Sequence, residues 1–465
     1  MLIQGKTLER PAAGRADYVR TVRQIVDAVN SINPDAPYHD WFAGDPGARA
    51  AVHVRDGVYR PELSAAASLL GGTAAAGRAE NLRINAADGR TGGIFLEGPG
   101  RYEVEKAAVT LSGDSVGIGG PATGAAVRGG GELILRDAFI DAAGLTHYAT
   151  VAERGGVLRV YDSVLSSHGA PFGEGQPQPG GVMQTPPPGL MIDGNGRTHC
   201  TMTGSHSFFH RCLITSDGWG ALSTETAEGF AYLEANDCRV VTVRRGYGAY
   251  ADPGCHVVLN RCQIDSADMA GIVGGEGELA LRDCRTLCGA CGLLLHSVAG
   301  EPEEIGAVEV AGGRLESAGP VALIRSDNAR LRFDHVELCS RQGVLLHTQV
   351  NDDPLATPAG RAPFGVEAVF RCLDAQGDVL HEDTQRGMYL YLESATLRGA
   401  VRGACIRLDQ GGRWFAAGDS EATLMGAVQL QQLDAPRGVT IRLHAAQAGR
   451  EALPSGGVLE LICDE

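Results

Sequence analysis

The chain has 465 residues, of which 65 are glycine, with aromatics at only 5% and a formal net charge of −16. So acidic a chain is a poor partner for nucleic acid or for an anionic membrane surface. Many glycines and few aromatics favour tight turns and small inward side chains over a helical bundle, and this length suits a repeat protein whose core grows unit by unit.

In chain order, "RADYVRTVRQIVDAVNSI" puts Tyr18, Val22, Ile25, Val26 and Val29 on one helical face. Residues 1–60 read as a helix and cap leading into a first strand, and 61–465 as the repetitive body. The opening "MLIQGKTLERPAAGRADYV" has no apolar signal core and no stretch reads as a transmembrane span, so a cytoplasmic location is expected. The 12 cysteines are then expected to be reduced thiols rather than a disulfide framework.

The body repeats. "ELILRDAFID" (132–141), "VLRVYDSVLS" (157–166), "YLEANDCRVV" (232–241), "VVLNRCQID" (257–265) and "LALRDCRTL" (279–287) each join a short apolar strand, a polar pair, a small residue and another strand. The small residue is Ala138, Ser163, Cys212, Cys238, Cys262 or Cys284, and the last four are 26, 24 and 22 residues apart. Such a period, without helices, predicts an all-β, right-handed parallel β-helix with an N-terminal capping helix and long loop insertions. Asp and Asn suit the bend because they tolerate left-handed backbone. The cysteines should stack inside as small apolar residues.

Two stretches carry a resemblance. The predicted helix followed by "AVHVRDGVYRPEL" (51–63) resembles the opening of the pectin-lyase-like superfamily, pectin methylesterases especially, over about 60 residues. The resemblance implies fold only, since the catalytic motifs of the methylesterases and the Asp clusters of polygalacturonases and pectate lyases have no match. "LDQGGRWFAAGDSEATLMGAVQL" (408–430) is similar to the rungs of autotransporter-type β-helices.

A further strand follows each cysteine strand: "GALST", "GAYAD", "AGIVG", "GLLLH", "VALIR" and "GVLLH". Aligned, they end in Thr224, Asp252, Gly274, His296, Arg325 and His347, with steps of 22 from 252 to 274 to 296 and again from 325 to 347. Strand alternation turns this polar column outward, together with the column two residues earlier: Leu222, Tyr250, Ile272, Leu294, Leu323 and Leu345. An outward apolar row needs a cover: a loop, the N-terminal segment, a ligand, or a second copy meeting at Leu222, Ile272, Leu294, Leu323 and Leu345. At a rung spacing of about 4.8 Å, Arg325 would sit between the two histidines, holding them neutral and fit to act as bases. It would also anchor a carboxylate. Asp252 and Tyr250 would complete the catalytic wall, with Trp219, Thr224, Asp352 and Asp353 lining the substrate. Insertions near 169–198, 297–306 and 349–365 border this face, as loops that build sites do. The same column also reads as solvated strand ends, or as a subunit interface.

"CRTLCGAC" has the Cys-x3-Cys-x2-Cys spacing seen in radical S-adenosylmethionine enzymes, but Cys284 already belongs to the ladder, so Cys284, Cys288 and Cys291 read as packed thiols. Gly-rich stretches such as "GDSVGIGG" precede no helix and read as turns. No motif commits to a metal, and no cofactor is expected. The expected function is a lyase or isomerase that moves a proton beside a carboxylate or carbonyl of a sugar acid or sugar-like ligand. The alternative is a non-catalytic, adhesin-like binding β-helix.

Overall fold

The computed structural model describes residues 47–463 except 116–118, 170–189, 193, 195, 226–229, 298–304, 327, 352–364 and 384–385. The expected capping helix, Asp352 and Asp353 lie outside the described residues. Strand Arg49–Arg55 turns back through Asp56 and Gly57 onto Val58–Tyr59. Both turn residues have positive φ, 53° and 76°, which matches the twist of a two-residue hairpin.

From there the chain repeats a unit of three strands. One unit is His206–His210, Leu213–Ser216 and Gly220–Glu225; the next is Tyr232–Asn236, Arg239–Thr242 and Tyr247–Ala251. Each strand pairs in parallel with its counterpart one unit along. Among the described residues this pairing builds a 39-stranded, mostly parallel sheet and a second sheet of 4 strands, so the molecule is all-β. Antiparallel pairs stand near both ends, Leu69–Ala74 with Arg78–Ala86 and Gly449–Ala452 with Val458–Ile462. No helix among the described residues is long and apolar enough to cross a membrane.

The bend between the first and second strands of a unit is one left-handed residue: Asp137, Asp162, Arg211, Asp237, Arg261 and Asp283 all have φ between 52° and 56°. Aspartate tolerates this conformation; arginine does so less readily. Each arginine is held by the aspartate one unit before it, Arg211 by Asp162 at 2.6 and 2.7 Å and Arg261 by Asp237 at 2.7 and 2.8 Å. The small residue after the bend points inward. Cys212, Cys238, Cys262 and Cys284 are buried free thiols, and each donates to a main-chain carbonyl at 3.2–3.4 Å. The expected cysteine ladder is therefore present.

Strands of the three stacks share one continuous apolar core. The third strands differ from the others in being buried on both sides: Gly220–Glu225, Met269–Gly274, Leu293–His296 and Ala322–Arg325 have no exposed position. A separate apolar cluster, including Trp219, Tyr247, Met269, Ile272, Leu294 and Leu323, lies on the far side of these strands from the core.

Candidate functional site

Register assigns the columns. Tyr250, Ile272, Leu294 and Leu323 pair in succession, as do Gly274, His296 and Arg325. Ala251 pairs with Val273, which carries Asp252 alongside Gly274. Over these four units both expected columns are present.

At either end the register departs from expectation. Ser223, not Leu222, pairs with Tyr250, so Glu225 rather than Thr224 runs alongside Asp252. Leu222 belongs to the main core. Thr224 is buried, its hydroxyl donating to the Tyr250 carbonyl and accepting the Asp252 N–H, both at 3.0 Å. Between the pairs Ser216–Thr242 and Gly220–Tyr247, residues 217–219 face 243–246, so the later unit carries one residue more. At the other end His347 pairs with Leu323, not Arg325, and Leu345 packs in the main core. Arg325 therefore does not sit between two histidines in one column. His347 instead meets Glu382 at 2.8 Å, with Gln349 at 3.4 Å.

What the fold brings together is Tyr250, Asp252, His296 and Arg325. The Tyr250 hydroxyl donates to Asp252 Oδ1 at 3.0 Å. It does so across Gly274, where a Cβ would lie 2.7 Å from the hydroxyl oxygen. Burial first, and then the Asp252 carboxylate, hold the phenol well above its usual pKa, so it keeps its proton. On the next unit His296 is fully buried, and its register partner Arg325 is 9% exposed.

Three residues missed in the sequence adjoin this group. Arg197 and Glu225 form a buried ion pair at 2.6 Å, with side chains only 4% and 9% exposed. Arg197 Nε donates to the Tyr148 hydroxyl at 2.8 Å, and its guanidinium stacks on the Trp219 ring at 4.4 Å. Trp219 is thus a packed corner and not an open platform. Glu225 was hidden by the one-residue slip; Arg197 and Tyr148 lie in units whose strands carry no phrase at the 22-residue step.

Neither the protein-family models nor the curated proteins match this chain.

Two other expectations resolve here. The apolar row Ile272, Leu294 and Leu323 is buried and packed with Trp219, Tyr247 and Met269 of the same chain. Cys284 and Cys288 lie in the main core while Cys291 lies in the outer cluster. Those thiols face opposite sides of a strand layer and cannot hold one iron–sulfur cluster, and burial pushes the Cys288 thiol up to about 12.

Proposed function

We propose that the chain coils as a right-handed parallel β-helix of the pectin-lyase-like kind and that its buried seam carries proton transfer. In this reading it is a lyase or isomerase acting next to the carboxylate or carbonyl of a sugar acid. The observation that carries the proposal is the register pairing of His296 with Arg325 beside the Tyr250–Asp252 pair, on a face shielded from water. Arg325 would anchor the acid group, a planar fork matched to a carboxylate. His296 would take the proton from the adjoining carbon as that C–H bond breaks. Tyr250, kept protonated, would donate to the oxyanion or the departing hydroxyl, while Asp252 fixes the phenol's direction. Returned to the neighbouring carbon the proton gives an isomer; lost together with a β-hydroxyl it gives an unsaturated acid and water. The sugar-acid class rests on likeness of fold, which does not by itself fix function.

Deuterium exchange tests this directly. The full chain is incubated in D2O with uronic and aldonic acids, and NMR follows deuterium entering at the carbon beside the carboxylate. Exchange that disappears in His296→Asn and Tyr250→Phe, with the melting temperature kept, supports the reading. Exchange absent from every acid, or unchanged in both variants, overturns it.

The complete burial of His296 favours a second reading, a non-catalytic β-helix in which the seam is structural. In that case His296→Asn lowers the melting temperature and nothing else.

A further inference from the structure

At the far end of the strand that follows Arg325, Ala329–Asp334, the bend residue changes its chemistry. Where the units with bends from Asp137 to Asp283 place Asp or Arg, the bend after Ala329–Asp334 places His335, and the bend after Val366–Arg371 places Cys372. Both are left-handed, with φ of 50° and 51°, and the pairing of Asp334 with Arg371 sets the two bends side by side. One donor atom each from Asp334, His335 and Cys372 lies within 4.8 Å of the others. His335 and Cys372 are exposed and Asp334 is half-buried, so the group is open to solvent on one side.

Oxygen, nitrogen and sulfur donors in one group suit zinc-like ions and not magnesium or calcium, which prefer oxygen alone. We propose that Asp334, His335 and Cys372 bind a thiophilic divalent cation of the zinc class and leave a fourth position open. The supports are already arranged. Asp334 Oδ1 lies 2.5 Å from His335 Nδ1, and its Oδ2 faces Arg332 at 3.6 Å and Arg371 at 3.9 Å, so the carboxylate is oriented by its surroundings. On binding, the His335 proton moves to Nε2, the Cys372 S–H bond is replaced by a metal–sulfur bond, and the thiol proton leaves to solvent.

A cleft adjoins the group on its Cys372 side. Cys372 borders a cavity of about 610 Å³ whose wall includes Arg371, Tyr391, Glu393, Arg407 and Asp409. Arg332, Arg371 and Arg407 balance Asp334, Glu393 and Asp409, so a dication with one thiolate leaves a net positive charge. A fourth ligand from the cleft would therefore be an anion or hydroxide.

The inference is independent of the proton-transfer reading, and its test measures no turnover. Co2+ is titrated into the reduced full chain while absorbance is followed. The expected result is a sulfur-to-cobalt charge-transfer band that saturates at a single equivalent and is displaced by Zn2+. Cys372→Ser should abolish the band, and His335→Ala should weaken binding by at least about tenfold. Cys463→Ser, at another exposed cysteine, should change nothing. A wild-type chain without the band, or a band that survives Cys372→Ser, overturns the proposal. Both substituted side chains are exposed, and an unchanged melting temperature confirms that the variants fold.

Discussion

Tyr250 reaches Asp252 only because Gly274 has no side chain: a methyl there would lie 2.7 Å from the hydroxyl and 3.4 Å from Pro253 Cδ. Gly274→Ala should force the ring aside, break the bond to Asp252 and cost roughly 1–3 kcal/mol, as overpacking does. Adding Tyr250→Phe removes the clashing oxygen. The double variant should then lose less stability than the two single losses combined, a coupling measurable by urea denaturation of all four proteins.

The Arg197–Glu225 pair is buried and hydrogen-bonded to its surroundings. Removing one partner leaves a charge without its counter-charge in a dry site, so Glu225→Gln or Arg197→Met should destabilise by about 3–5 kcal/mol. Replacing both with apolar residues of similar volume should recover much of that loss. Thermal denaturation of the three variants checks it.

Glu97 is an acid-sensitive group of the N-terminal units. Burial alone would raise its pKa, but hydrogen bonds from Arg128, Arg55 and His53 outweigh that and hold it at about 2, against an ordinary value of 4.5. A depressed carboxyl stabilises the fold above its unfolded pKa and ceases to do so as pH falls through the folded one. The stability advantage of the native chain over Glu97→Gln should therefore be full at neutral pH and shrink between pH 4.5 and about 2. A constant difference across that window would show that Glu97 is not held by its three neighbours.

His199 works in the same direction for a different reason. Its ring is fully buried, with Thr150 Oγ1 at 2.9 Å from one nitrogen and Thr201 Oγ1 at 2.8 Å from the other. Burial lowers its pKa from 6.5 to about 3. The unfolded chain takes up a proton below 6.5 that the folded chain refuses until about 3, so stability falls as pH drops across that interval. His199→Gln should flatten this part of the pH–stability curve, as followed by denaturant midpoints.

The small residue after a left-handed bend could be read from the chain because one bend conformation and one cramped interior recur in the units whose bends run from Asp137 to Asp283. Column assignment succeeded over the two steps of 22 from Asp252 to His296, and where the surplus forms an insertion, as between His296 and Arg325; it failed at the step of 22 from Arg325 to His347. It failed where the surplus is taken up inside the repeat. Glu225 stands 27 residues before Asp252, and one additional residue lies among 243–246, between two paired strands. The same holds for His347: the second strands of these units are offset by 23 residues, as in Ser317 with Ser340, and the third strands by 24, as in Leu323 with His347. Composition can show that a unit recurs; only hydrogen bonding shows by how many residues two units are offset. The donor group at Asp334, His335 and Cys372 escaped a motif search because its ligands meet across units and not along the chain.

Since each unit bonds chiefly to the one before and the one after, the molecule behaves as a line of nearest neighbours. Fraying starts at the two ends, and a unit in the middle opens only after those beside it or at the expense of two interfaces at once. The Tyr250–His296 seam lies well inside that line, and its strands also carry a second apolar layer. Backbone amides of Ile272 and Leu294 should therefore exchange with deuterium more slowly than those of Leu70 or Leu461. The seam would keep its geometry while the termini breathe.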